Sequence, residues 1–167
     1  KCMESIFREI NLIIDYLKTT TYRTLELRKL EGPIEMVVVA DAAKEGGRLG
    51  YLILARSTVN KEVSVLDWSS NKCHRVVASA SSYELLGLKN ALINGLCMRQ
   101  VSAVMGLMSS KVPFLMHTDC RNVYMNAEKL KEPADKNLRP DVIIIVEFKK
   151  QGFISLQKIA GADNPAD

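Results

Sequence analysis

The feature that most restricts the fold is a series of three β-rich segments joined by short turns. They cover residues 34–40, 50–56 and 61–68, and turn-forming Gly or Asn residues lie in the two connections. Connections this short favour an antiparallel meander. Residues 82–99 place Leu85, Leu88, Leu92 and Leu96 on one helical face, which predicts a helix. The apolar stretch 112–118 follows a crossover long enough for a strand parallel to the first. The pattern therefore predicts a mixed α/β sheet.

Four further segments are predicted from hydrophobic periodicity. Residues 4–18 place apolar side chains at helical spacing, which predicts an amphipathic helix that docks on another surface. Residues 24–30 alternate like a half-exposed strand, and a segment boundary follows at the Gly-Pro pair. Residues 121–130 predict a helix and residues 153–159 a final strand.

The segment 141–152 has two opposing signals. Its run of β-branched side chains favours a strand. Asp141 at its start and Gly152 at its end favour a capped helix instead. Local sequence leaves both structures open, with propensity on the side of the strand.

Composition limits the class of protein. The 167 residues are 47% hydrophobic and 25% charged, which fits one soluble domain with a full core. The net charge of +4 is compatible with a polyanionic partner. Four widely spaced cysteines without a CxxC pair indicate neither a zinc site nor a disulfide framework. No apolar stretch approaches the roughly 20 residues that a membrane-spanning helix needs.

Four acidic residues occupy positions that hydrophobic patterning does not explain. Asp41 and Asp119 each end an apolar strand segment, Glu84 lies near the start of the amphipathic helix, and Asp167 follows Asn-Pro-Ala. Singly, such residues are most often turn or cap residues. Together, carboxylates at strand ends and helix starts can gather around hard divalent cations, which prefer oxygen ligands. This favours metal-assisted phosphodiester chemistry.

Three motifs carry a resemblance to a known family. They are Ala40-Asp41-Ala42, the stretch from Trp68-Ser69-Ser70 to Ser82-Tyr83-Glu84, and Asn164-Pro165-Ala166-Asp167. Together they resemble the ribonuclease H domain of copia-type LTR retrotransposon polyproteins. The N-terminal stretch 14–20 is similar to the end of the reverse transcriptase region that precedes that domain.

The resemblance implies a fold and a domain division. Residues 1–33 would be a tether from the reverse transcriptase region, and residues 34–167 the ribonuclease H domain. The fold would be α/β and ribonuclease H-like: a mixed five-stranded sheet, with three antiparallel meander strands and then two parallel strands, flanked by helices. The family also has a helix at 141–152.

The activity implied by the resemblance is hydrolysis of the RNA strand of RNA/DNA hybrids during reverse transcription. Two Mg²⁺ ions, for which Mn²⁺ can substitute, would be held by the four acids. Asp41 would bridge both ions, Glu84 and Asp119 would share one, and Asp167 would complete the other.

Substrate contacts are also implied by matching positions. The backbone of Ala42 and the side chains of Ser81, Ser82 and Asn122 would lie along the minor groove, where the 2′-hydroxyl of RNA is exposed. Ser82 is equally well placed to be a helix N-cap. Lys72 and Arg75 belong to a basic cluster that could contact phosphate or simply be solvated.

The expected partners are the RNA/DNA hybrid and the reverse transcriptase domain of the same polyprotein, with no membrane. The expected location is the cytoplasm, in the virus-like particle of the parent element, with the nucleus as an alternative. Two other functions stay open: a domesticated, non-catalytic scaffold or interaction module, and another nuclease of the same fold, such as an integrase-like or exonuclease relative.

Overall fold

The computed structural model describes residues 11, 12, 14, 15, 18, 19, 28–77, 79–109, 111–129 and 136–166. Asp167 and most of the segments 4–18 and 24–30 therefore lie outside the described residues. The described members of 4–18 are helical. Residues 28–30, the described part of the strand predicted at 24–30, are not in a strand. The backbone N–H of Arg28 donates to the hydroxyl of Ser64 at 3.0 Å, and its C=O accepts from the same hydroxyl at 2.9 Å.

A five-stranded sheet organises the described chain, and the fold class predicted from the sequence is confirmed. The strand order is β3-β2-β1-β4-β5. The first three strands pair antiparallel, whereas β4 pairs parallel to β1 and β5 parallel to β4. The strands are β1 Ile34–Ala43, β2 Arg48–Ser57, β3 Val63–Lys72, β4 Phe114–Thr118 and β5 Ile154–Lys158.

Between residues 28 and 166, three α-helices are described beside the sheet: α1 Ala80–Val104, α2 Arg121–Lys129 and α3 Arg139–Lys150. Short 3₁₀ turns precede α3 at Lys136–Leu138 and follow β5 at Gly161–Asp163. Among the described residues, no helix combines the length and the apolar character that a membrane crossing requires.

The start of α1 corrects one sequence-based alternative. The N-cap is Ser79, whose hydroxyl accepts the backbone N–H of Ser82 at 3.2 Å. The helix therefore begins at Ala80, two residues before the predicted start, and Ser82 lies inside its first turn. The N-cap interpretation of Ser82 is wrong because the serine three residues earlier already provides the capping oxygen.

The segment that was ambiguous in sequence forms α3. Pro140 lies in its first turn, a position that Pro favours because its missing N–H is not needed there. At the other end, Gly152 has a φ of +72°, and Phe153 N–H bonds to the Phe148 carbonyl at 2.9 Å. These are features of a glycine-terminated helix. Propensity fails here because β-branched side chains at helical spacing, including Val142 and Val146, are buried in the core.

Helix α1 packs directly on β1, and two glycines permit the close approach. A β-carbon on Gly87 would lie 3.0 Å from the carbonyl oxygen of Asp41, and one on Gly95 would lie 3.0 Å from Val38 and from Phe114. Both glycines are buried helix residues where alanine would otherwise be favoured. The absence of their side chains therefore sets the distance between this helix and the sheet.

The main core lies between the helices and one face of the sheet. Met36, Val38 and Ala40 of β1 point into it, while Val37 and Val39 lie in a smaller cluster on the opposite face. Residues along a strand alternate between faces. Consequently the two faces of β1 pack against different groups of side chains.

Candidate metal centre

Three of the four predicted acids come together at one edge of the sheet. Oxygen atoms of Asp41, Glu84 and Asp119 all lie within 4.8 Å of one another, and each residue is partly buried. Asp41 is near the end of β1 and Asp119 directly follows β4. Because β1 and β4 are parallel neighbours, their carboxyl ends meet at the same edge. The fourth predicted acid, Asp167, lies outside the described residues.

Glu84 reaches this edge through the close contact between α1 and β1. It precedes Gly87 by three residues, so the two lie on the same side of the helix. Gly87 brings that side against the carbonyl group of Asp41. The position of Glu84 relative to Asp41 therefore depends on the distance between α1 and β1. The acidic residues alone do not reveal that distance.

Asn164 is a site residue that the sequence interpretation did not assign. Its side-chain amide donates a hydrogen bond to Oδ1 of Asp41 at 3.4 Å, and its own Oδ1 accepts the Ala166 N–H at 3.0 Å. The side chain is buried. The available signal was the Asn-Pro dipeptide, which is typical of a turn in which the Asn side chain bonds to nearby backbone.

The chain after β5 also closes over Asp119. A β-carbon on Gly161 would be 3.5 Å from Oδ2 of Asp119. Strand β5 runs parallel to β4, and Ile159 N–H continues the pairing by bonding to the Thr118 carbonyl at 3.0 Å. The segment leaving β5 is thereby delivered to the carboxyl edge of the sheet, beside the acids.

Cys120 adjoins the acids but keeps its proton. Burial raises the pKa of its thiol, and the carboxylates of Glu84 and Asp119 raise it further. Backbone N–H groups of Val123 and Asn122 act in the opposite direction. A protonated thiol is a poor metal ligand. The ligand atoms that come together are those of Asp41, Glu84 and Asp119, and carboxylate oxygens suit hard cations.

The predicted minor-groove residues are placed unequally around the acids. Ala42 follows Asp41 in β1, and Asn122 is exposed in the first turn of α2, three residues after Asp119. Ser81 is half-buried, with its hydroxyl 3.1 Å from that of Ser79. Ser82 is buried, and its hydroxyl lies 2.8 Å from the same Ser79 oxygen.

The two predicted phosphate contacts belong to a different part of the surface. Arg75 donates to Oδ2 of Asp141 at 2.7 Å and to the Asn137 carbonyl at 2.6 Å. Lys89 donates to the other oxygen of Asp141 at 2.6 Å. Arg75, Lys89 and the exposed Lys72 line a hollow of about 410 Å³. The acids of the metal centre are not among the residues that line it.

Asp141 has a role that differs from the loop or cap function its sequence position suggested. It lies in the first turn of α3 but is only 2% exposed, and the N-cap of that helix is Leu138. Its two oxygens pair with two cations from other elements. The carboxylate therefore fastens the loop after β3 and helix α1 to helix α3.

Several solved ribonuclease H1 structures have the same fold. The ribonuclease H1 of the archaeon Halobacterium salinarum matches with a TM-score of 0.50 and 14% identity over 81% of this chain and 91% of that chain. LC11-RNase H1, isolated from compost by a metagenomic approach, matches with a TM-score of 0.56 and 13% identity over 78% of this chain and 87% of that one.

The LC11 enzyme has also been solved in complex with an RNA/DNA hybrid. That structure matches with a TM-score of 0.53 and 12% identity over 78% of this chain and 89% of that chain. No protein-family model and no curated protein matches the sequence. At identities this low, the structural matches establish a ribonuclease H-like fold and nothing more. The function has to be argued from the site.

Proposed function

We propose that this domain is a ribonuclease H that hydrolyses the RNA strand of RNA/DNA hybrids by two-metal-ion catalysis. The observation that carries the proposal is the cluster of Asp41, Glu84 and Asp119, whose oxygen atoms lie within 4.8 Å of one another at the carboxyl edge of a ribonuclease H-like sheet. The LC11 structure with a bound hybrid supports the substrate class.

The donor set fits hard divalent cations. It consists of carboxylate oxygens that are close together and only partly buried, which leaves room for the water ligands that Mg²⁺ retains. Asp41 would bridge two Mg²⁺ or Mn²⁺ ions, Glu84 and Asp119 would share one of them, and Asp167 would complete the other. Bound ions of this kind activate a water and stabilise the leaving oxygen in phosphodiester hydrolysis.

The protein's own groups orient these ligands before any ion is bound. The amide of Asn164 restrains the carboxylate of Asp41 through the hydrogen bond at 3.4 Å. The Ser79 cap fixes the first turn of α1, which immediately precedes Glu84. Such support raises metal affinity, because the carboxylates lose less freedom when they coordinate.

Hybrid recognition would use the surface around the acids. The Ala42 backbone, Ser81 and Asn122 are the groups we assign to the minor groove, where the RNA 2′-hydroxyl distinguishes RNA from DNA. Lys72 would contact a backbone phosphate. Arg75 and Ser82 would act mainly through the fold, since Arg75 is paired with Asp141 and Ser82 is buried.

The biological setting is part of the same proposal. The copia-like motifs indicate a retrotransposon polyprotein in which residues 1–33 tether the domain to a reverse transcriptase. The domain would then degrade the RNA template during reverse transcription, inside a cytoplasmic virus-like particle. A comparison of hybrid affinity with and without the reverse transcriptase domain tests this setting, which requires higher affinity for the longer protein.

The activity is tested with labelled RNA/DNA hybrid, single-stranded RNA and duplex DNA in the presence of Mg²⁺. Cleavage should be confined to the RNA of the hybrid and should fall at least about a hundredfold in Asp119→Asn, since a charged ligand is removed. Asp163→Asn is the matched control, because Asp163 is an exposed acid in the nearby 3₁₀ turn. Absence of hybrid cleavage by the wild-type protein would favour the non-catalytic alternative.

A further inference from the structure

Trp68 is the only tryptophan of the chain, and it is 62% exposed in the middle of β3. Aromatic side chains this large are usually buried for most of their surface, and an exposed one commonly belongs to a contact surface. The packing of the described core does not use it. Its indole ring is therefore available to a ligand or a partner.

The strand register places Trp68 on the same sheet face as Asp41. Trp68 pairs with Leu52, whereas Ser70, two residues further along β3, aligns with Gly50, the partner of Asp41. Paired residues of antiparallel strands share a face, as do residues two apart along one strand. Trp68 and Asp41 are two strands apart across the sheet and two residues apart along the strand direction. Their α-carbons are therefore separated by about 12 Å.

A hollow of about 430 Å³ joins the indole ring to the metal centre. Its lining includes Asp41, Gly50, Trp68 and the turn residues Pro165 and Ala166. Gly50 lies between the tryptophan and the carboxylate, and a β-carbon there would be 3.6 Å from the carbonyl oxygen of Asp41 and 3.8 Å from that of Ala166. The hollow is thus continuous with the site that would hold the scissile phosphate.

A positive charge lies on the same hollow. Arg48 is part of its lining, and Nη1 of Arg48 donates to the Ser70 carbonyl at 3.5 Å. This hydrogen bond keeps the guanidinium group beside the strand that carries Trp68. An aromatic ring next to a cation is the combination that holds a nucleic acid strand, by stacking on a base and attracting a phosphate.

We propose that this hollow binds the substrate strand a few nucleotides from the cut, with one base stacked on Trp68 and a phosphate beside Arg48. The inference rests on the proposed function for the identity of the strand. A separation of about 12 Å corresponds to about three nucleotides at a rise of about 3.4 Å each. Stacking of this type does not depend on base identity, so the contact adds affinity without adding sequence preference.

Because the chain has a single tryptophan, its fluorescence reports directly on the proposed contact. The Asp119→Asn variant is titrated with RNA/DNA hybrid in Mg²⁺, while anisotropy of a label on the hybrid measures binding independently. Tryptophan emission should be quenched along the same binding curve. Binding without any change in emission would overturn the inference.

Kinetics provide the second test, in which Trp68→Ala should raise KM for hybrid about tenfold and leave kcat within twofold of wild type. Trp68→Phe should lie between the two, since it retains a smaller ring. Val63→Ala is the control on the same strand, where an exposed valine lies away from the hollow. An unchanged KM in both Trp68 variants would refute the stacking role while leaving the proposed function intact.

The remaining outcomes are also decisive. If the wild-type protein does not cleave hybrid, the proposed function fails, and the fluorescence titration alone decides whether a nucleic acid strand contacts Trp68. If Trp68→Ala changes the oligomeric state and KM stays unchanged, the hollow is a contact between protein copies and the inference is wrong.

Discussion

Replacing Gly87 with alanine tests whether the spacing between α1 and β1 sets the geometry of the metal centre. The new methyl group would lie 3.0 Å from the backbone oxygen of Asp41 and 3.2 Å from the β-carbon of Ala42. A backbone oxygen in a paired strand cannot rotate away. The helix therefore has to move outward by about 0.5 Å to restore ordinary contact distances.

Two effects on stability oppose each other in this variant. Overpacking a buried contact costs about 1–3 kcal/mol. Replacing a helical glycine by alanine returns about 1 kcal/mol. The net loss should be about 1 kcal/mol, which a domain of this size tolerates. The protein should fold, with α1 displaced at the turn that carries Glu84.

The effect on the site should be larger than the effect on stability. Ligand geometry has to be held to about 0.5 Å, and a displacement of about 1 Å can cost about a hundredfold in rate. We expect Gly87→Ala to lower both Mg²⁺ affinity and hybrid cleavage about tenfold. Titration calorimetry with Mg²⁺ and steady-state cleavage measure the two quantities.

Gly95→Ala is the matched control on the same helix. Its methyl group would meet Val38 and the Phe114 ring at 3.0 Å, so it also overpacks the interface between α1 and the sheet. It lies eleven residues beyond Glu84, about 16 Å along the helix. Stability should fall by a similar amount while cleavage stays within twofold. Equal activity in the two variants would refute the reasoning.

Three further perturbations address other parts of the molecule. Asn164→Ala should reduce metal affinity about tenfold, because it removes one hydrogen bond that restrains the carboxylate of Asp41. An unchanged affinity in titration calorimetry would contradict this. Asp141→Asn should lower the free energy of unfolding, measured by urea titration, by about 2 kcal/mol, because Arg75 and Lys89 lose their buried anionic partner. The loss is moderate because the Arg75 side chain is 43% exposed and is partly solvated. Burial, together with the bond to Asp67, raises the pKa of Tyr51 to about 12. As the pH rises, the unfolded chain therefore loses this proton before the folded protein does, and the free energy of unfolding should fall between pH 10 and 12. In Tyr51→Phe this fall should be smaller. The same dependence of the free energy of unfolding on pH in both proteins would contradict the prediction.

The order of strands and helices follows from local sequence because each element carries its own pattern. The short turns of the meander impose antiparallel pairing on β1, β2 and β3, and the crossover through α1 is long enough for β4 to run parallel to β1. Boundaries were less predictable: α1 ends at Val104 instead of residue 99. Helix ends depend on capping contacts that hydrophobic periodicity does not encode.

Helix α3 illustrates where local sequence fails. Its β-branched residues favour a strand when considered alone. The family resemblance favoured a helix, and the structure confirms the helix because burial of one face outweighs a propensity difference of a few tenths of a kcal/mol per residue. Tertiary packing decided between two locally acceptable structures.

The acids at strand ends were visible in the sequence, and although each could singly be a turn or cap residue, together they favoured a metal site. The supporting contacts were not visible. Asn164 bonds to Asp41 across 123 positions of sequence, and Asp141 collects cations from 52 and 66 positions away. Pairings over such separations depend on which strands become neighbours, and no local pattern records them.

Apart from α3, local sequence specifies the helices and strands, the antiparallel pairing of the meander and the types of group available for chemistry, because periodicity, turn residues and residue identity act over a few positions. Tertiary structure decided how close those groups come. The distance from Glu84 to Asp41 is set by the missing side chain of Gly87, and the exposure of Trp68 beside the same acid is set by the register of β3 on β2. Distances between such groups are fixed to within a few tenths of an ångström only when whole elements pack together.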